Sequence, residues 1–170
     1  ELLGLSHRRS WQEVIGSRPH MIDETAADSE YRKRKRYEVH DRIAVIDVRG
    51  LLVNSEDSWS SYSSTLYRDI DEDVQAAVSD EAIDGILLRI DSPGGEAENS
   101  FETAGRIVEA GKVKPVWSIA ENSAYSAGYL MASSGSRIYV TPYSGGVGSI
   151  GVYSLHLDYS VALEQAGIKP

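Results

Sequence analysis

The chain contains no cysteine. Disulfides, zinc–thiolate sites and cysteine-protease chemistry are therefore excluded. Phenylalanine occurs once and proline five times in 170 residues. No apolar run is long enough to cross a bilayer as a helix, and no signal-peptide core is present. The chain begins at Glu1 rather than Met, as expected of a processed or trimmed product. Positive charge is scarce over most of the length. Lys and Arg number 17 against 26 Asp and Glu, a net charge of −9. The imbalance is uneven: residues 1–36 are net +2 and residues 37–170 net −11. An acidic body argues against a nucleic-acid surface. The apolar fraction of 41% is ordinary for a globular chain.

What is present falls into two parts. Residues 1–36 read as an N-terminal extension. One short helix is expected at Ser10–Ser17, with Trp11, Val14 and Ile15 on one side. The basic run Arg32-Lys-Arg-Lys-Arg36 reads as a solvated linker in preference to a phosphate-binding arm. The body is residues 37–170. Ile43–Val48 reads as a strand, with Gly50–Asn54 turning it into a hairpin. Leu66, Ile70, Val74 and Val78 recur every four residues, which predicts an amphipathic helix from Tyr62 to Ser79. Ile86–Ile90 reads as a central parallel strand that stops at Asp91-Ser-Pro-Gly-Gly95. A second helix is predicted over 97–110, with Phe101, Ala104, Ile107 and Val108 inward. Val116–Ala120, Arg137–Val140 and Ser149–Tyr153 read as strands, and 127–134 and 158–166 as helices. This alternation predicts an α/β fold with a mostly parallel sheet and right-handed crossovers. Ligands then bind at the edge where strands end and helices begin.

The stretch Glu121-Asn-Ser-Ala-Tyr-Ser-Ala-Gly-Tyr129 organises the rest. It places Ser126 between an apolar strand and a small-residue helix. A hydroxyl there faces the free amides of a helix N-terminus, which suits an acyl-transfer nucleophile. The alternative is an ordinary serine N-cap. Gly94 and Gly95 fall on the same edge. Lacking Cβ atoms, they admit a substrate backbone or make a tight turn. The amides of Gly95 and Ala127 are placed to converge on one carbonyl oxygen as an oxyanion hole. Tyr125, Tyr129, Tyr143 and Tyr153 either shape substrate pockets or form partial core. Ala127, Gly128 and Ala132 suggest close packing beneath Ser126.

These residues carry a family resemblance. Asp91-Ser-Pro-Gly-Gly95, Ser126-Ala-Gly-Tyr129 and Gly148-Ser-Ile-Gly-Val152, in this order, resemble the signal peptide peptidase A-like serine proteases of the Clp protease/crotonase superfamily. The tail from His156-Leu-Asp-Tyr-Ser160 through Ile168 is most similar to the tailed-phage branch, which processes scaffold and capsid proteins in head assembly. The resemblance implies repeated ββα/βα units, Ser126 as nucleophile, and Gly95 and Ala127 as oxyanion donors. It also implies Gly94, Gly95 and Tyr125 at the substrate, and a polypeptide bound as an added strand. A homo-oligomer in the host cytoplasm or prohead is expected, with no cofactor, no metal and no nucleic acid.

The family's general base is a lysine. Lys112, Lys114 and Lys169 fall at the opposite sheet edge, and Lys33 and Lys35 in the basic run. The family's lysine follows a strand that would begin near Ile168, so the chain is expected to stop short of its base and to be inactive alone. His7 and His20 lie in the extension and His40 at the wrong edge. Only His156, with Asp158 as its acid, stands at the right edge for a Clp-like triad; otherwise it packs beside the last helix. Competing expectations are a bacterial signal-peptide peptidase, a crotonase-like acyl-CoA enzyme and a non-catalytic assembly part.

Overall fold

The computed structural model describes residues 37–55, 63–143 and 145–168. The extension 1–36 and its basic run lie outside them.

The backbone begins with strands β1 (Glu38–His40) and β2 (Ile43–Val53), followed by β3 (Ser64–Leu66) and helix α1 (Tyr67–Ser79). Next come β4 (Gly85–Gly95), α2 (Ser100–Gly111), β5 (Val116–Tyr125) and α3 (Ala127–Ser134). The series closes with β6 (Arg137–Val140), β7 (Gly146–Gly148) and α4 (Ser160–Gln165). One sheet runs in the order β1-β2-β4-β5-β6, with β3 joined to β2 and β7 to β5. All pairings are parallel except β1 with β2. The mostly parallel α/β expectation holds.

Period-two alternation explains the layering. Ala44, Ile46 and Val48 of β2, Ile86, Leu88 and Ile90 of β4, and Val116 and Ala120 of β5 are buried on one face. Residues of α1, α2 and α3 complete that core, among them Ile70, Val74, Ile107 and Met131. The other sheet face is mixed: Val45, Leu87, Trp117, Ile119 and Tyr139 share it with paired charges. Arg89 bridges to Asp47 at 2.6 Å, and Arg49 to Glu121 at 2.9 Å. The Arg89 guanidinium holds the Asp47 carboxyl below its ordinary range.

Four expectations are corrected. Gly50–Asn54 is not a hairpin. Gly50 takes φ +68° opposite a bulge in β4, and β2 then continues parallel to β4. The Asp91–Gly95 stretch likewise continues β4 rather than ending it. Phe101 and Val108 are not inward; both are exposed. The buried stripe of α2 is Ser100, Thr103, Ala104, Ile107 and Ala110, and positions one residue off such a stripe turn about 100° away. Finally, Ser149–Tyr153 forms no strand. The strand is β7, and the backbone breaks after it at Gly148 (φ +125°) and Ser149 (φ +55°).

The α1–α2 contact contains a half-buried acid. Asp71 pairs with Arg106. Burial pushes its carboxyl up to about 6, against the pull of Arg106. The folded state therefore holds this proton more tightly than the unfolded chain does. The stabilisation is complete below about pH 4, the ordinary aspartate range, and is lost as the pH rises through about 6. At 1.36 kcal/mol per pKa unit its size is about 2–3 kcal/mol. Urea titrations of wild type and Asp71→Asn between pH 4 and 7 should differ by that slope, with wild type losing stability relative to the variant.

Candidate active site

Ser126 sits where β5 ends and α3 begins. Its backbone is strained, with φ 50° and ψ −121°, a region that favours glycine. Two hydrogen bonds hold it there. Its N–H donates to the Gly148 carbonyl of β7 at 2.9 Å, and its carbonyl accepts from the Leu130 N–H at 2.9 Å. The side chain is half-buried, and among the described residues its hydroxyl has no hydrogen-bond partner. Ala127, Gly128 and Ala132 pack beneath it, all buried. A Cβ on Gly128 would come within 2.9 Å of the Ser92 carbonyl, so α3 rests directly on β4.

Gly94 faces Ser126. It takes φ +106°, and a Cβ there would lie 2.7 Å from Ser126 Cβ and 3.1 Å from the Ala127 nitrogen. Beyond it, the Glu96 N–H donates to the Leu52 carbonyl at 2.8 Å. Gly95 itself lies against β2, where a Cβ would come 2.0 Å from the Leu52 carbonyl oxygen. The Ala127 N–H opens α3 and has no intrahelical acceptor. Hydroxyl, glycine turn and helix start thus share one open cleft of about 1470 Å³. Leu51, Val53 and Pro93 line it, with Phe101, Tyr129, Leu130, Ile150 and Tyr153.

Other candidates lie elsewhere. The Tyr125 phenol packs over Gly146, where a Cβ would meet its oxygen at 2.0 Å. Tyr143 is fully exposed. Asp91 accepts from Asn122 Nδ2 at 2.9 Å and Ser123 Oγ at 3.1 Å. Those bonds, Asn122's first, hold its carboxyl below the usual range, so it fastens β4 to β5 as an ionised group. His156 is exposed and makes no hydrogen bond among the described residues. Asp158 instead accepts the Ser160 N–H at 2.9 Å, at the start of α4. His40 lies beside Glu38 in β1.

Two of the five lysines are described. Lys112 pairs with Glu109. Lys114 Nζ donates to the Ala77 and Asp80 carbonyls at 2.9 and 2.6 Å, closing the C-terminus of α1. Both precede β5, whereas Ser126 follows its ten residues. At ~3.3 Å per residue that is about 30 Å. Lys114→Met should therefore lower stability by about 1–3 kcal/mol through the unsatisfied helix carbonyls. The rate of Ser126 modification by a fluorophosphonate should stay unchanged; a large loss of labelling in folded variant would put the ammonium at the site.

Sequence reasoning passed over Ser92 and Tyr67. Ser92, fully buried, donates to the Gly50 carbonyl and accepts the Gly94 N–H. The Tyr67 hydroxyl donates to the Glu96 carbonyl at 2.6 Å, just past the glycine turn. A serine inside a glycine–proline motif was the available signal for the first. For the second there was none, because Tyr67 falls on the helical stripe as ordinary core.

Ser126 thus stands, with a strained backbone, at a strand–helix elbow beside two glycines on the rim of a mostly parallel sheet. Residues 109–170 match the sequence model of peptidase family S49, which bears out the resemblance to the signal peptide peptidase A-like serine proteases. The chain is 41% identical over 139 residues to capsid assembly protease C of Escherichia phage lambda, a span of 81% of this chain and 31% of that protein. It is 39% identical over 163 residues to the head-tail preconnector protein GP5 of Enterobacteria phage P21, covering 92% of this chain and 32% of that protein. The chain thus spans about a third of the length of these curated relatives. Among solved structures, a mutant of the 1510-N membrane-bound stomatin-specific protease in complex with a substrate peptide superposes with a TM-score of 0.52. That match has 22% identity and covers 67% of this chain and 48% of that one, a likeness of fold.

Proposed function

We propose that this chain is the nucleophile-bearing part of a serine endopeptidase that processes scaffold or capsid polypeptides during phage head assembly. The observation that carries the reading is the strained Ser126 elbow with Gly94 packed against it in an open cleft. The two phage relatives support the setting. Ser126 Oγ attacks the scissile carbonyl carbon, and its proton passes to a neutral lysine amine. The oxyanion is held by the Gly95 and Ala127 amides. The protonated lysine then gives its proton to the leaving amine as the C–N bond breaks. Water, deprotonated by the same amine, hydrolyses the acyl-enzyme.

The base is a lysine outside residues 37–168, because Lys112 and Lys114 are both engaged at the far edge. A buried lysine can be neutral near pH 7 when desolvation lowers its pKa. Apolar cleft walls suit an extended peptide. The Tyr125 ring belongs to the support of β7, and Tyr129 and Tyr153 are the tyrosines that meet substrate. Function as a homo-oligomer in the prohead is part of the same reading. Co-expression of the full-length protein with its own scaffold and capsid proteins tests it. Specific cleavage should appear with wild type and be absent with Ser126→Ala; cleavage that persists in the variant overturns the assignment.

A further inference from the structure

Ser92 is fully buried, and the reaction above makes no use of it. Its hydroxyl nevertheless makes two bonds. Oγ donates to the Gly50 carbonyl at 2.7 Å and accepts the Gly94 N–H at 3.1 Å. A hydroxyl has one proton, so the first bond commits it and leaves lone pairs for the amide. The surroundings explain why a side chain is needed. Arg49 pairs with Asp91, and the next paired positions are Leu51 and Gly94, so β4 carries one residue more than β2 here. Pro93 lies inside this bulge and has no N–H to give. Ser92 fastens the bulge to β2 from within, and its backbone supports Gly128 of α3.

We propose that Ser92 is a positioning residue for the oxyanion donors. The proposal rests on the reading of Ser126 as nucleophile. Two adjacent glycines have wide conformational freedom and would not by themselves hold one amide direction. Stabilising a developing oxyanion requires donors fixed in advance. The bond from Gly94 to Ser92 fixes the plane of the peptide before Gly94. With Gly94 at φ +106° and packed on Ser126 Cβ and the Ala127 nitrogen, the next amide, that of Gly95, is aimed beside Ser126. Ser92 thereby sets donor and nucleophile in one frame while touching neither substrate nor reacting atoms.

The test uses the full-length protein with a fluorogenic peptide carrying its cleavage sequence, a boronate analogue of that peptide, and a non-cleavable peptide of the same sequence. Ser92→Ala should lower kcat by on the order of 10- to 100-fold. The boronate should bind more weakly by a similar factor, while KM and affinity for the non-cleavable peptide stay near wild type. Ser92→Thr and Ser92→Cys, which retain a donor and acceptor at this position, should recover part of the lost kcat. Wild-type kcat in folded Ser92→Ala overturns the proposal, as does an equal loss of boronate and peptide binding. Should Ser92→Ala not fold, Ser92→Val decides: it should lose kcat and boronate affinity while peptide affinity holds, and wild-type boronate affinity in it, or an equal loss of boronate and peptide binding, overturns the proposal. Ser126→Ala, run alongside, separates the two readings. If it stays active, the nucleophile assignment fails; if it is dead while Ser92→Ala is fully active, only the role of Ser92 fails.

Discussion

Ser126→Ala and Ser126→Gly should both abolish peptide hydrolysis, yet the glycine variant should be the more stable of the two. The loss in kcat should be on the order of 10⁴- to 10⁶-fold, as for other serine nucleophiles removed from a catalytic unit. The difference in stability arises from the backbone. At φ 50° and ψ −121°, any Cβ at position 126 is strained, at a cost of about 1–3 kcal/mol. Alanine keeps that strain and glycine relieves it. Glycine also gives the unfolded chain more freedom, which removes about 0.5–1 kcal/mol of the gain. Urea denaturation should therefore place Ser126→Gly above Ser126→Ala by about 1–2 kcal/mol. Equal midpoints would mean that the elbow is relaxed, and that its geometry reflects no demand for a particular hydroxyl position. Retained hydrolysis in either variant would remove Ser126 from the chemistry altogether.

Gly94→Ala should be nearly as damaging, and for reasons that combine stability with reactivity. A methyl group at this position would lie 2.7 Å from Ser126 Cβ, 3.0 Å from the Tyr125 carbonyl oxygen and 3.1 Å from the Ala127 nitrogen. These neighbours are backbone or directly attached to it, so they cannot swing aside. The φ of +106° adds strain for any L side chain. Together the contacts and the torsion should cost about 2–4 kcal/mol. Whatever relaxation occurs separates the glycine turn from the helix start, so the two proposed donors part. Fluorophosphonate labelling of the folded fraction should slow by at least about 100-fold, the scale of losing one oxyanion donor. A variant that folds with an unchanged midpoint and labels at the wild-type rate would show that the turn is not pressed against Ser126. Gly128→Ala offers a useful contrast, because its clash at 2.9 Å is with the Ser92 carbonyl rather than with Ser126 itself.

The order of elements was legible because burial imposes its own period. Four-residue spacing in α1 and alternation in β2 and β4 both reflect a face that must leave water. The elbow was legible for a related reason: only small residues fit where α3 lies directly on β4, and the run Ser126-Ala-Gly128 supplies them. Lys112 and Lys114 could be placed because the ends of a parallel strand alternate predictably with helices. What escaped was controlled by single torsions and side-chain bonds. Gly50 resembled a turn residue, but its positive φ lies opposite a bulge in β4, and β2 continues past it. Asp91-Ser-Pro-Gly-Gly95 had the composition of a loop, and the Ser92 hydroxyl keeps it in the sheet. Phe101 was read inward because it is large and apolar, although the helix begins at Ser100 and turns it toward the cleft. Ser149–Tyr153 had the residue types of a strand but pairs with no strand among the described residues.

The hydrogen bond from the Ser126 N–H to the Gly148 carbonyl has a mechanical consequence. Gly148 is the last residue of β7, and the apolar residues that follow it, Ile150, Val152, Tyr153 and Leu155, all stand in solvent. A pull on that trailing segment would reach the elbow through Ser149 and Gly148 alone. A surface that seated the segment would thereby act as a tuning peg for the serine.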